Sequence, residues 1–204
     1  MSTSTLPPLS QYSSVFEVHQ HLQQVLERAT QPISLYPDEV TYKNSAQKKR
    51  AFQSPTGDQC NGHTYQQFKH HPMGSNIVKA GLFGTSSMST IGQTKQERNL
   101  HGHAWVAVII RKPDTFGKTI LFWDPDGQEI LRNRTTTYNN ITSNAQKELV
   151  NVYGGRTHLK GVYYGGEGNK GKKDCLPLSM RFLQELMTRG VPENMEALGY
   201  VRLA

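Results

Sequence analysis

The sequence predicts an α+β domain, and three stretches carry that prediction. Residues 104–110 form a near-continuous apolar run rich in Val and Ile, which is typical of a buried strand. A second apolar stretch, residues 119–123, follows a turn-forming segment and completes a hairpin. After Cys175 the apolar residues recur at helical spacing, which predicts a core-facing helix packed on that sheet.

The length and composition favour a single domain with a polar surface. The chain has 204 residues, of which 35% are hydrophobic, enough for one full core. Residues 1–13 are rich in Ser, Thr and Pro and predict a flexible tail, so the domain is expected to span 14–204. The net charge of +7 predicts a basic surface that attracts nucleic acid or acidic partners without specificity.

The cysteine count and the N-terminus bear on the compartment. Two cysteines cannot build a disulfide framework, which indicates a reducing compartment, the cytoplasm or the nucleus. The N-terminus lacks the apolar core of a signal peptide. No apolar run reaches the length of a membrane span.

The remaining elements are predicted from weaker patterns. A helix is expected within residues 14–30, and another over 140–154, capped at Thr142, Ser143 or Asn144 and ended by Gly154. Residues 158–164 predict a short strand. Residues 31–100 should contain short strands or helices that the pattern does not place, and 79–92 suggest turns and irregular pieces.

Three residues with catalytic chemistry fall at the ends of predicted elements. His103 starts the first strand, Asp124 ends the second, and Cys175 begins the helix. A thiol hydrolase needs a thiolate, a histidine that exchanges a proton with it, and a carboxylate that orients the imidazole. The helix N-terminus and the lysines of residues 170–173 would both lower the pKa of the Cys175 thiol.

These positions resemble a known group of enzymes. "HAW" at 103–105, "LFWDPDG" at 121–127 and "DC" at 174–175 are similar to the His, Asp and Cys segments of the adenain and ubiquitin-like-protein protease families. The resemblance covers residues 100–200. It implies a papain-like or adenain-like fold, in which a central sheet supports the nucleophile helix. It also implies a triad of Cys175, His103 and Asp124 that hydrolyses a peptide or isopeptide bond without metal or organic cofactor.

The sequence differs from the family pattern at several positions, and these differences suggest further candidate site residues. Trp105 follows His103 by two residues instead of one, so His101 is a second candidate for the base. Asn169 stands about where the family has an oxyanion-binding Gln, and an amide there could donate alongside the backbone N–H of Cys175. Leu176 replaces the family's Gly after the nucleophile. Trp105 is expected to wall the cleft.

Cys60 offers an alternative nucleophile. In transglutaminase-like and papain-like deamidase domains the Cys lies upstream of the His and Asp segments, and Cys60 stands in that order. The segment after Cys60 is polar and predicts a poor core helix, whereas the one after Cys175 is apolar. The comparison favours Cys175.

Three other functions are weaker alternatives. Residues 166–172 have the spacing of a phosphate-binding loop, but Lys173 stands where magnesium would need Ser or Thr. His101 and His103 share one strand face and could bind zinc or iron, although no acidic or thiol ligand is spaced nearby. The chain could also be a non-catalytic basic protein that binds nucleic acid or a protein partner, with residues 42–52 as its basic patch.

The substrate class follows only from the resemblance. A viral precursor protein, a ubiquitin-like modifier or a host target of a secreted effector would each suit a thiol protease. Families of this kind also include acyltransferases that use the same triad.

Overall fold

A computed structural model describes ten parts of the chain, and they form one mixed sheet with helices on both faces. The described residues are 21, 24–30, 33–36, 63–70, 77–84, 104–111, 117–125, 137–156, 159–167 and 175–203. The strands are β1 (Ile33–Tyr36), β2 (Val78–Gly84), β3 (Ala104–Arg111), β4 (Lys118–Trp123), β5 (Leu159–Gly165) and β6 (Val201–Arg202). The helices are α1 (His63–His70), α2 (Thr137–Arg156) and α3 (Cys175–Arg189), followed by a 3-10 turn at Glu196–Leu198. The predicted α+β class is confirmed.

The strands lie in the sheet in chain order, β1 to β6. β3 pairs antiparallel with β2 on one side and with β4 on the other, so the predicted central hairpin is confirmed. β1 runs parallel to β2, and β5 runs parallel to β4. α2 supplies the crossover that the parallel β4–β5 pair requires.

Both faces of the sheet are covered, and this explains the continuous apolar run in β3. Alternate residues of β3 and β4 point to opposite faces. Val106, Val108 and Leu121 pack against α3, and we call this side the α3 face. Ala107 and Ile120 pack against α1 and α2, and we call that side the α1–α2 face. A strand buried on both sides needs apolar residues at every position.

α3 has the bounds and the role that its sequence predicts. The residues at helical spacing that it buries on the sheet are Leu178, Met180, Phe182, Leu183, Leu186 and Met187. Pro177 lies in the first turn, where its missing N–H removes no helical hydrogen bond. The helix ends at Gly190, which adopts a φ of 80° and donates its N–H to the carbonyl of Leu186 at 2.9 Å.

The bounds predicted for the preceding helix are wrong. α2 runs from Thr137 to Arg156, so the expected caps at 142–144 lie inside it. Gly154 does not end the helix either. A Cβ at Gly154 would lie 3.2 Å from Cδ1 of Leu159, so the glycine gives the start of β5 room to pack.

Within 31–100 the described residues, 33–36, 63–70 and 77–84, form elements that the sequence pattern did not place: β1, α1 and β2. The irregular structure expected from residue 79 is wrong for β2. A Cβ on Gly81 would lie 2.9 Å from Cδ2 of Phe68, so this glycine leaves room for the ring where α1 packs. Gly81 is therefore part of a packed strand.

The described part of the N-terminal region lies on the α3 face. Residues 24–26 are helical, Val25 is buried, and the backbone N–H of Thr30 donates to the carbonyl of Met187 at 3.0 Å. The expected tail, residues 1–13, lies outside the described residues. None of the helices described is both long and apolar enough to cross a membrane.

Candidate active site

Three strand ends meet at one edge of the sheet, which we call the Asp124 edge: the start of β3 at Ala104, Asp124 after β4, and the end of β5 at Gly165. Val106 lies opposite Trp123, and Trp123 lies opposite Gly165. The backbone N–H of Asp124 donates to the carbonyl of Gly165 at 3.0 Å. Asp124 is fully buried, although its side chain belongs to a residue type that is rarely buried unless paired. A carboxyl group buried at this position needs polar partners, because burying it without them costs free energy.

The first turns of α3 lie against the same edge. Ser179, which is fully buried, donates its hydroxyl to the carbonyl of Ala104 at 3.3 Å. Ser179 follows Cys175 by four residues, which is about 6 Å along a helix, and so lies on the same side of it. The start of α3 at Cys175 is therefore within about one turn of the residue that follows His103 in the chain.

An aromatic stack fixes the next turn of α3 to β4. The rings of Trp123 and Phe182 are 4.8 Å apart with an interplanar angle of 11°. Phe182 follows Cys175 by seven residues, which is two helical turns on the same side. The residue before Asp124 thus supports the helix that Cys175 begins. This stack and the Ser179 bond together set the orientation of α3 on the Asp124 edge.

The helix after Cys60 also reaches this edge, from the opposite face. Tyr65 near the start of α1 lies 5.7 Å from Phe83, and Phe83 is opposite Trp105 in the sheet. Lys79, near the start of β2, donates its side-chain nitrogen to the carbonyl of Phe68, further along α1. α1 therefore runs antiparallel to β2, and its N-terminal end faces the start of β3.

Two aromatic side chains give α1 its place on the sheet. Tyr65 and Phe68 are both fully buried, so the expectation that the segment after Cys60 makes a poor core helix is wrong. Their spacing of three residues puts both rings on one side of a short, otherwise polar helix. A buried helix therefore follows each cysteine, and this criterion does not distinguish Cys175 from Cys60 as the nucleophile.

Two buried donors on or near the α1–α2 face have no acceptor among the described residues. They are Nε1 of Trp105 and Nε2 of Gln146. Trp105 is fully buried, with its ring 4.8 Å from Phe83 and 6.5 Å from Phe122. Gln146 is buried in α2.

An exposed ion pair lies beyond the Asp124 edge. Arg181 of α3 contacts the carboxylate of Glu167, two residues after β5 ends. The side chains are 47% and 39% exposed, so the pair contributes little to stability. It does connect α3 to the residues that directly follow β5.

Several predicted site residues lie outside the described part of the chain. His103, His101, Asn169 and Cys60 belong to this group, and of Cys175 only the backbone is described. The structure gives the positions of Asp124, Trp105 and the helix start at Cys175, while every predicted role in catalysis stays a prediction. Among the residues described, no group of three or more His, Cys, Asp or Glu side chains is placed to hold a metal ion.

Ser179 is the residue at this edge that the sequence analysis missed. A serine within an apolar helical stripe can be recognised in the sequence as a residue that needs a hydrogen-bond acceptor, because a buried hydroxyl without one is unfavourable. Its four-residue spacing from Cys175 gives the side of the helix on which that acceptor lies.

The fold and the Asp124 edge define an α+β protein with a mixed six-stranded sheet and a buried carboxylate at its edge. No family model matches the chain, and no curated protein matches it. Among solved structures, the chain is similar to the Legionella pneumophila effector protein RavZ, with 10% sequence identity and a TM-score of 0.36. The match covers 81% of this chain and 45% of RavZ, so the chain spans less than half of that protein's length. A TM-score of this size does not establish a common fold.

Proposed function

We propose that the protein is a thiol hydrolase that cleaves a peptide or isopeptide bond, with Cys175 as nucleophile, His103 as base and Asp124 as the orienting carboxylate. One observation carries the proposal: the hydrogen bond from Ser179 to the carbonyl of Ala104 at 3.3 Å. It holds the start of α3 beside the residue that follows His103. Asp124 lies on the neighbouring strand at the same edge.

The chemistry that this arrangement supports is acyl transfer through a thioester. The Cys175 thiol gives its proton to His103, and the thiolate attacks the substrate carbonyl. The N–H of Cys175, with Asn169, donates to the oxyanion. The leaving amine takes the proton from His103, and water then hydrolyses the thioester, restoring the thiol. Helix N-termini favour the thiolate, because the partial positive charge there stabilises an anion.

A protein substrate follows from this chemistry. We propose a folded or extended protein partner, such as a viral precursor, a ubiquitin-like modifier or a host target of an effector. An acyltransferase would differ only in the acceptor, because an alcohol or amine would then take the place of water in the second step.

A glutamine deamidase that uses Cys60 is the second candidate, and the direction of α1 favours it. α1 begins three residues after Cys60, and its N-terminal end faces the start of β3. In that case Cys60 would attack a side-chain amide from the α1–α2 face, with the same His103 and Asp124. Both proposals use the Asp124 edge and differ in the face from which the thiol approaches.

Thiol mapping tests both proposals. The native protein is treated with iodoacetamide near neutral pH, and the modified cysteine is identified by peptide mass spectrometry. We expect Cys175 to react faster than a free model thiol, and His103→Ala to abolish that advantage. Cys60→Ala is the matched control and should leave the Cys175 rate unchanged, while His101→Ala distinguishes the two candidate bases.

Other outcomes would reject the main proposal. Faster modification of Cys60, lost in His103→Ala, would support the deamidase instead. If neither thiol exceeds the model thiol and a peptide vinyl sulfone labels neither, both hydrolase proposals fail.

A further inference from the structure

Lys79 is fully buried in the sheet, where a lysine is rarely found. It lies on β2 opposite Ile109, on the α1–α2 face. Its ammonium nitrogen is 5.2 Å from the ring centre of Tyr36, 4.8 Å from that of Phe68 and 5.6 Å from that of Tyr153. Rings from β1, α1 and α2 therefore enclose one amine.

The same amine closes the C-terminal end of α1. Lys79 Nζ donates to the carbonyl of Phe68 and to the hydroxyl of Tyr153, the latter at 2.9 Å. The Tyr153 hydroxyl in turn donates to the Phe68 carbonyl at 3.0 Å. Phe68 is among the last four residues of α1, whose carbonyls have no partner within the helix. Two side chains from other elements thus cap α1 and hold it on the sheet.

Titratable groups face Lys79 from three neighbouring elements, β1, α2 and β4. Tyr36 faces it from β1, Tyr153 from α2, and Lys118 from β4, with the Lys118 ammonium 5.4 Å from the Tyr153 ring centre. Burial, and after it the positive charge of Arg111 on β3, lowers the pKa of Lys118. Burial, with the nearby charge of Lys118, lowers the pKa of Lys79 to about 7.

We propose that Lys79, Tyr153 and the Phe68 carbonyl form a pH-dependent latch, in which the neutral amine keeps α1 docked on the sheet and its protonation favours release of α1. An ammonium gains hydration when α1 leaves, whereas a neutral amine loses its hydrogen bonds to Phe68 and Tyr153 without gaining the hydration of a charge. Release takes up one proton from solvent. This inference does not depend on the proposed function.

The direction of the pH effect follows from linkage. The docked state has its Lys79 pKa near 7, and the released state regains the ordinary value of 10.5. The released state therefore binds more protons over this interval, so docking strengthens as pH rises from 7 towards 10.5. The opening constant of α1 should fall about fivefold between pH 7 and pH 8 and about ninefold in the next unit.

A line of ring contacts connects the latch to the Asp124 edge. Phe68 lies 5.2 Å from Phe83, and Phe83 lies 4.8 Å from Trp105, which follows Ala104 at the start of β3. Release of α1 removes the first ring of this line. The ring of Phe83, which packs on Trp105, would then lose its contact with α1.

Hydrogen exchange of the full-length protein tests the latch. Amide exchange is measured at pH 7, 8 and 9 and divided by the intrinsic rate at each pH. We expect the protection of residues 63–70 to rise about fivefold from pH 7 to pH 8. Amides of α3, which packs on the opposite face of the sheet, serve as the internal reference, and we expect no such rise in their protection. Lys79→Met, which keeps the length and removes the charge, should remove the pH dependence in α1.

Lys160→Met is the matched control, because Lys160 is an exposed lysine on the same sheet, and its pH dependence should equal that of the wild type. Unchanged protection of α1 from pH 7 to 9 overturns the latch, as does an equal pH dependence in Lys79→Met. If Lys79→Met does not fold, NMR titration of the labelled lysine ε-carbons decides. A Lys79 midpoint within a unit of 10.5 would contradict the proposal.

Discussion

The hydroxyl of Ser179 donates to the carbonyl of Ala104 at 3.3 Å, and this bond joins α3 to the first residue of β3. Both ends of the bond are fully buried. One helical turn before it stands Cys175, and one residue before Ala104 stands His103. A single side-chain hydrogen bond thus sets the distance between the two elements on which the proposed nucleophile and base lie.

Ser179→Ala should lower the free energy of unfolding by about 1 kcal/mol, because it removes a hydrogen bond between two fully buried residues. Urea denaturation followed by far-UV circular dichroism measures the change. Thr188→Ala is the control on the same helix. Its exposed hydroxyl donates to the carbonyls of Gln184 and Glu185 in the same helix, and its loss should cost less than about 0.5 kcal/mol. Equal effects of the two substitutions would contradict a fixing role for Ser179.

Glu148 joins α2 to α1, accepting from the Tyr65 hydroxyl at 2.7 Å and from Lys69 at 2.6 Å. Glu148→Gln keeps an acceptor for Tyr65 but removes the charge opposite Lys69, whose side chain is only 9% exposed. We expect a loss of about 1 kcal/mol in the free energy of unfolding. Glu167→Gln, in the exposed pair with Arg181, should cost less than about 0.5 kcal/mol. Chemical denaturation of both variants in low and high salt makes the comparison, and a larger cost at Glu167 would be inconsistent with it.

Gly165 leaves room for the ring of Tyr200, and a Cβ at this position would overlap Cδ1 and Cε1 of that ring. Gly165→Ala should therefore destabilise the protein by about 1 to 3 kcal/mol through overpacking. Tyr200→Leu in the same chain should restore much of this loss, because the smaller side chain frees the space. Thermal unfolding of the single and double variants measures the coupling. Additive effects would show that the two residues do not compete for space.

Burial raises the pKa of Tyr153, and the charge of Tyr36 adds to this. The unfolded chain therefore releases this proton first, so the contribution of Tyr153 to stability is lost as pH rises above about 10. We expect Tyr153→Phe to show a shallower fall of unfolding free energy with pH above that value. Tyr163→Phe controls for the loss of one phenol. Denaturation curves at several alkaline pH values provide the measurement, and parallel slopes for wild type and Tyr153→Phe would refute the assignment.

The elements that the sequence predicted well are those in which burial alone sets the pattern. β3 and β4 are covered on both faces, so their apolar runs identify them. α3 carries one apolar stripe and ends at a glycine in the left-handed conformation. In each case the residue type needed at a position depends on the local element and not on a distant partner.

The elements that the sequence did not predict depend on tertiary partners. β2 contains Lys79 and Gly81, which break an apolar pattern, yet the lysine is held by Phe68 and Tyr153 and the glycine admits a ring. α1 packs on the sheet through only two fully buried aromatic residues, Tyr65 and Phe68. The order of His103, Asp124 and Cys175 follows directly from the sequence. The meeting of Ala104, Asp124 and the first turns of α3 at one edge depends on the sheet register and on the packing of α3, which the sequence pattern does not give.

The strand order has a consequence for how the candidate site is assembled during synthesis. β3 and β4 pair through a short connection, so their hairpin closes at small entropic cost and early in folding. α3 lies more than fifty residues further along the chain and leaves the ribosome later. We therefore expect the strand ends that flank His103 and Asp124 to be paired before Cys175 is translated, and the thiol to complete the site as its last component.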